Sequence, residues 1–431
     1  MLVIRGGRLL DPASGTDAVQ DLVIERGRVL RRGPGASEGL SGEGIRTIEA
    51  KGLWVVPGLV DLHVHLRDPG HEYKEDIPSG LAAAAAGGFT TVCAMPNTKP
   101  VNDTRAITEM MLARAKGVRG ARLRAMGAIT AGLLGERLTE MADLREAGAI
   151  GVTDDGKCVM NGSVMRRAME YARTFDLLVS QHCEDHHMTE GSQMHDGAVA
   201  TRLGLRGWPR EAEDVIVARD LLLAEQTGAR YHVAHISSMG AVRLLREAKG
   251  RGLRVSAEVT PHHLALTDAA LLGYDTHCKV NPPLREEADR QALREALADG
   301  TIDCIATDHA PHSTVEKDCE FAEASVGING LETAVPILLG LVREGSLSAQ
   351  RFIEALTTAP SRLIPDGEVG SLKEGAIADV ALIDPDLRWR VTQMGLLSKS
   401  HNTPWLDQEV QGAVTHTIVG GEIVYERAET R

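Results

Sequence analysis

The sequence lacks several features that would settle its class at once. Its six cysteines in 431 residues form no C-x-x-C pair, which argues against a disulfide framework and against a structural zinc site. They read as reduced, mostly buried thiols. No apolar run reaches the roughly 18 to 20 residues a spanning helix needs. The opening "MLVIRGGRLL" also lacks a signal peptide's charged and apolar regions in that order, so the cytoplasm is the expected compartment. The net charge of -13 is spread along the chain without an acidic or basic tail. Nucleic acid and anionic membrane surfaces are therefore poor partners, and a site for a small anion must supply its own positive field. A repeat of fixed period is likewise missing.

What the chain does have is 43% hydrophobic residues, ample for a large core. Its middle alternates strand-like and helix-like segments. Eight apolar runs read as strands: "LVDLHVH", "TTVCAMP", "RLRAMGAI", "AIGVTDD", "LLVSQHC", "RYHVAHI", "RVSAEVT" and "IDCIATD". Helix-like stretches such as "TRAITEMMLARAKG", "GSVMRRAMEYARTF" and "AEDVIVARDLLLAEQTG" lie between them, several ending in a glycine placed as a C-cap. The run "SGLAAAAAGG" is read as a closely packed helix, without functional weight. Eight βα units predict a closed (β/α)8 TIM barrel over residues 58–365. Residues 1–57 and 366–431 read as short strands with glycine turns, neither piece sufficient alone, so both ends are expected to join in a small β-sandwich beside the barrel.

In such a barrel the chemistry sits at the C-terminal strand ends. The predicted strands run out into His63 and His65, Asn97, Asp154 and Asp155, His182, His235, and Asp308 with His309. Residues i and i+2 of a strand share a face with Cα atoms about 6.6 Å apart, so His63 and His65 can reach one ion. A single strand-end histidine is usually a hydrogen-bonded structural residue. Four on independent strands with two aspartates exceed what one catalytic zinc uses, and they suit two metals about 3.5 to 4 Å apart sharing a hydroxide. The expected arrangement puts His63, His65 and Asp308 on one ion, His182 and His235 on the other, and Asp155 between them. Two divalent cations outweigh two aspartates and a hydroxide, so an anionic substrate is accommodated. Histidine and carboxylate ligands favour zinc or a neighbouring first-row metal.

The H-x-H strand end, the lone histidines and "ATDHAPH" resemble the amidohydrolase superfamily. The ordered set "DLHVHLRDPG", "MPNTKP", "TDDG", "QHCED", "AHIS", "EVTPHHL", "KVNPPLR" and "ATDHAPH" resembles the type I dihydroorotases in particular, over nearly the whole chain. The resemblance implies reversible cyclisation of N-carbamoyl-L-aspartate to L-dihydroorotate, the third step of pyrimidine synthesis, with two zinc ions per subunit. It places the ligands at the same positions and makes Asp155, rather than Asp154, the bridge. It also brings in a homodimer, or a complex with aspartate transcarbamoylase, as assemblies to test.

Hydrolysis of a cyclic amide needs activated water, a polarised carbonyl and a proton for the leaving nitrogen; a metal pair serves the first two and Asp308 the third. Arg67, two positions past His65, either pairs with Asp68 or Glu75 at the surface or grips a substrate carboxylate with its planar fork. The resemblance favours substrate. It implies substrate contacts for Asn97, Asn281 and His312 as well, and for Val326 and Gly327 through their backbone; Val326 stands where the family pattern leads one to expect an aromatic residue. His186, His187 and His195 read as solvated or loop-packing residues, and His262 and His263 as groups behind the ligands. Lys157 is set aside as a bridge because "TDDG" offers a ready carboxylate. Two rivals remain. A hydantoinase or allantoinase shares the metal centre with a different residue at position 67, and a non-catalytic relative supporting a transcarbamoylase is opposed by the intact ligand set.

Overall fold

Burial on both faces marks most of the barrel strands. A strand covered on both faces needs no polar alternation, and every residue of the runs beginning at Leu59, Phe89, Ala149, Leu178 and Val255 is buried. In the computed structural model, which describes residues 1–365 and 369–428, the chain opens with β1 (Leu2–Asp11), β2 (Thr16–Glu25), β3 (Arg28–Gly33), β4 (Arg46–Glu49) and β5 (Trp54–Pro57). There follow β6 (Leu59–Val64), β7 (Phe89–Ala94), β8 (Arg122–Gly127), β9 (Ala149–Thr153) and β10 (Leu178–Gln181). A two-residue pair, β11 (Met194–His195) and β12 (Gly207–Trp208), lies in the next loop. Then come β13 (Arg230–Val233), β14 (Val255–Val259) and β15 (Cys304–Ile305), and finally β16 (Val380–Arg390), β17 (Glu409–Val419) and β18 (Glu422–Glu426).

All eight expected barrel strands form, in the order β15-β14-β13-β10-β9-β8-β7-β6. The seam between β15 and β6 is closed by a parallel bridge of Val64 to His309, with His65 N donating to His309 O at 2.8 Å. The helices pack outside as their periodicity demands. The helix Gly162–Thr174 buries Met165, Ala168, Met169 and Ala172, one stripe at i, i+3, i+4 and i+7. Each buried methionine contributes about 2 kcal/mol as an upper bound. Asn161 caps that helix by accepting from Ser163 N at 2.9 Å, an interaction that contributes about 1 kcal/mol. The alanine run lies in the helix Ile77–Ala86, which begins two residues before the expected Ser79 because Asp76 supplies the cap and accepts from Ser79 N at 2.8 Å.

The two chain ends meet in one sheet of order β18-β17-β16-β5-β1-β2-β3, with β4 on β1. The junction is the antiparallel pairing of β16 with β5, Leu382 opposite Val55. Leu2, Ile4, Leu22, Val55, Val380 and Ile418 share its core. Gly58 links β5 to the barrel, and a Cβ there would lie 2.2 Å from Thr90 Oγ1, so no larger residue fits without displacing β7. The expected domain boundary at 366 lies outside the described residues.

Candidate active site

Buried carboxylates and an amide orient three of the strand-end histidines, His63, His65 and His182, from behind. His63 Nδ1 donates to Glu258 Oε1 at 2.7 Å, His65 Nδ1 to Asn97 Oδ1 at 2.9 Å, and His182 Nε2 to Glu184 Oε2 at 2.9 Å. A proton held on that side leaves the other ring nitrogen as a lone pair facing inward, the arrangement metal-binding histidines use. Those inward nitrogens converge on Asp155. His63 Nε2 is 3.2 Å from Oδ1, His65 Nε2 3.4 Å from Oδ2, His235 Nε2 3.4 Å from Oδ1 and His182 Nδ1 3.9 Å from Oδ1. Asp308 Oδ1 lies 3.0 Å from His65 Nε2 and 3.6 Å from His63 Nε2. The ring nitrogens of His182 and His235 are 2.9 Å apart.

So close a gathering of lone pairs and carboxylate oxygens is unfavourable unless positive charge sits among them. Both His63 Nε2 and Asp155 Oδ1 are buried and have no hydrogen-bond partner. The grouping of His63, His65 and Asp308 matches the first expected ligand set, and a second forms from His63, Asp155 and His235. His182 joins through its Nδ1 at a slightly longer reach. These donors fit divalent metal. With protein groups alone the same demand falls on protons: burial opposes a charge on His63, yet Asp155, Glu258 and Asp308 raise its pKa well above the ordinary value. Burial also opposes ionisation of Asp155, but the surrounding histidines hold it well below the usual carboxylate range.

Backbone strain accompanies the chemistry. Arg67, His235 and Asp308 have φ of 60°, 28° and 46°, conformations that cost of order 1 kcal/mol or more each. Asp154 turns away from the cluster to accept from Thr130 N at 2.9 Å, so it is a structural residue and Asp155 the central one. Lys157 is exposed.

A cavity of about 210 Å³ opens above the cluster and is lined by Arg67, Asn97, Asn281, His312, Val326 and Gly327 together with the strand-end residues. All the residues expected to touch substrate therefore share one cavity with the strand-end histidines and aspartates. Arg67 pairs with neither Asp68 nor Glu75: Asp68 is taken by Arg114 and Glu75 by His309. Its Nε donates to Pro311 O at 3.2 Å. Asn281 Nδ2 donates to Glu184 Oε2 at 3.0 Å, while its buried Oδ1 has no partner. His312 Nε2 donates to Val326 O at 2.9 Å. Burial, with Arg67, Lys74 and Lys317 close by, lowers His312 to about 2, so it acts as a neutral group.

Of the histidines set aside, His187 is exposed, His186 accepts from Cys158 N at 3.1 Å, and His195 packs against Arg285 inside its loop. His262 and His263 are buried behind the cluster; burial lowers His262 to about 4, and His263 Nε2 donates to Pro282 O at 3.0 Å. The sequence reading missed Glu258 and Glu184. A glutamate inside the fully buried run of β14 was a legible signal for the first; Glu184, two residues past His182 in a loop, offered none.

Comparison with known proteins agrees with this geometry. Residues 52–241 match the family model described as "Dihydro-orotase-like". The chain is 55% identical to a dihydroorotase of Anaeromyxobacter dehalogenans over 99% of its length and 98% of the relative, and 51% identical to one of Trichlorobacter lovleyi over 98% and 99%. Among solved structures, the L-hydantoinase of Arthrobacter aurescens superposes with a TM-score of 0.88 at 25% identity, covering 99% of this chain and 96% of that one. A dihydropyrimidinase of Brevibacillus agri reaches 0.83 at 22% identity, over 98% and 95%. Identity above half over nearly the full length of both chains places this chain in the dihydroorotase family.

Proposed function

We propose that this chain catalyses the reversible cyclisation of N-carbamoyl-L-aspartate to L-dihydroorotate, the third step of de novo pyrimidine synthesis, as a metal-dependent cyclic amidohydrolase. One observation carries the reading: four inward histidine nitrogens and Asp308 surround the Asp155 carboxylate at the floor of a cavity that also holds the Arg67 guanidinium. The metal is assigned as zinc, two ions per subunit, held by His63, His65, His182, His235, Asp155 and Asp308. When bound, the pair lowers the pKa of water and polarises the carbonyl of the cyclic amide.

The chain's own groups do the rest. Arg67 receives the substrate carboxylate, a charge-assisted contact that fixes the ring relative to the floor, and neutral His312 shares its one N–H, on Nε2, between Val326 O and that carboxylate. Asn281 Oδ1, buried and unpartnered, is an acceptor for a ring N–H. Asp308 takes the proton from the attacking water and delivers it to the ring nitrogen as that C–N bond breaks; in the closing direction the same carboxyl returns it. The described residues contain no helix long and apolar enough to cross a membrane. The free, mostly buried cysteines fit the reducing cytoplasm.

The test is the purified, zinc-loaded chain incubated in parallel with L-dihydroorotate, allantoin and hydantoin, with and without aspartate transcarbamoylase. Ring opening of dihydroorotate is expected. Turnover confined to allantoin or hydantoin would overturn the assignment. Light scattering on the same sample decides between monomer, homodimer and transcarbamoylase complex.

A further inference from the structure

Arg67 and His312 each lean on one backbone carbonyl, and in both cases a buried polar side chain grips the backbone on either side of that carbonyl. Arg67 Nε is held by Pro311 O. Flanking it, Asn402 Nδ2 donates to Ala310 O at 3.0 Å, and Asn402 Oδ1 accepts from His312 N at 3.0 Å. His312 Nε2 is held by Val326 O. Flanking that, Lys317 Nζ donates to Ser325 O at 2.8 Å and to Gly327 O at 3.1 Å, and it reaches Lys279 O at 3.2 Å. Asn402 Nδ2 also donates to Gly327 O at 3.0 Å, which ties the two arrangements together. Both side chains are 2% exposed. Asn402 comes from the connection between β16 and β17, and so from a stretch of chain whose flanking strands belong to the chain-end sheet. Asn329 anchors that connection by donating its backbone N–H to Asn402 O at 2.9 Å.

We propose that Asn402 and Lys317 are positioning residues for substrate: Asn402 sets the Pro311 carbonyl that aims Arg67, and Lys317 sets the Val326 carbonyl that aims His312. The proposal rests on the assignment of Arg67 and His312 to the substrate carboxylate. The physical reason is geometric. A lysine whose Nζ sits within hydrogen-bond reach of three carbonyls, and an asparagine bonded through both ends of its amide, each remove the freedom of a short loop to drift. A drift of about 1 Å in a substrate-holding group costs up to about a hundredfold in rate. The chain-end sheet thereby shapes a site that lies in the barrel.

Two double-mutant cycles test this, one pairing Asn402→Ala with Arg67→Ala and the other Lys317→Met with His312→Ala. Each is read by KM and kcat for L-dihydroorotate, zinc content and melting temperature. Asn402→Ala and Lys317→Met alone are expected to raise KM about tenfold, with kcat changed less than about threefold and zinc content equal to the parent. Added to its partner substitution, each is expected to raise KM by less than about twofold further, because the group it aims is already gone. An undiminished effect in the partner background overturns the positioning role, as does a fall in kcat at unchanged KM. Parent-like KM in both Arg67→Ala and His312→Ala overturns the substrate assignment instead, a different result from raised KM there with parent-like KM in Asn402→Ala and Lys317→Met. The cycles share no residue, so if one variant fails to fold the other decides.

Discussion

Glu258 bridges two histidines inside the barrel, its Oε1 2.7 Å from His63 Nδ1 and its Oε2 3.1 Å from His232 Nε2. Burial pushes its carboxyl up, but the two imidazoles outweigh this and hold it far below the usual glutamate range. Ionised, it keeps the His63 proton on Nδ1 and leaves Nε2 as the ligand atom. Glu258→Gln loses the charge that makes this tautomer favourable. The expected outcome is a ten- to hundredfold weaker zinc affinity, read by competition with a chromophoric chelator, while kcat at saturating zinc falls less. Parent affinity in the variant would show that His63 needs no such support.

Asp308 is asked to move the proton between water and ring nitrogen. Asparagine there keeps the shape and loses the base. With zinc loading verified by elemental analysis, Asp308→Asn is expected to lower kcat by about a thousandfold or more in both directions, within the range general acid–base groups supply. Wild-type-like turnover in the loaded variant would contradict the role.

Arg67 is predicted to act through both binding and alignment. Hydrogen bonds to charged groups are each worth about 1.5 to 3 kcal/mol, so Arg67→Ala is expected to raise KM and to lower kcat/KM about a hundredfold for L-dihydroorotate. Unchanged steady-state kinetics would refute the contact. The sequence alone could not separate this reading from a surface ion pair, because Asp68 and Glu75 stand close in sequence. The folded chain separates them by giving both carboxylates to other partners, Arg114 and His309.

The barrel was legible because short, mostly buried strand runs alternate regularly with helical stretches and several of them run out into polar residues. Spacing put His63, Asp155 and Asp308 at strand ends, where few directions are open to a side chain, while the preference for Asp155 over Asp154 as the bridge came from the family resemblance. The groups behind them were harder to see. Glu258 carries a signal, a charge inside β14, that goes unread when attention stays on strand ends. Asn402 and Lys317 carry almost none: their partners are backbone carbonyls and one backbone N–H, tens to nearly a hundred positions away in several cases, and hydrogen bonds to the main chain leave no pattern of residue types. The segment 396–405 lies between two strands of the chain-end sheet, and only the folded chain brings its Asn402 against the backbone of Ala310, His312 and Gly327.

Glu332 links that same connection to the barrel and makes stability depend on pH. Its carboxyl accepts from Leu397 N at 2.8 Å and Ser398 N at 3.2 Å. Burial nevertheless raises it from 4.5 to about 7, with the nearby Glu75 adding to the rise and the two N–H groups opposing it. A carboxyl that binds its proton more tightly when folded stabilises the fold fully below its unfolded pKa, and the contribution is lost as pH climbs through the folded one. Between about pH 4.5 and pH 7 the folded chain keeps a proton that the unfolded chain has released, so stability falls by up to about 3 kcal/mol across the window. Glutamine cannot ionise and is expected to flatten that part of the profile. Melting temperatures of the parent and Glu332→Gln, compared at pH 5 and pH 7.5 at equal zinc loading, read the difference directly. The variant should lose less stability than the parent on going to the higher pH. Equal losses in the two proteins would mean that Glu332 is already ionised in the fold and that its two backbone donors outweigh its burial.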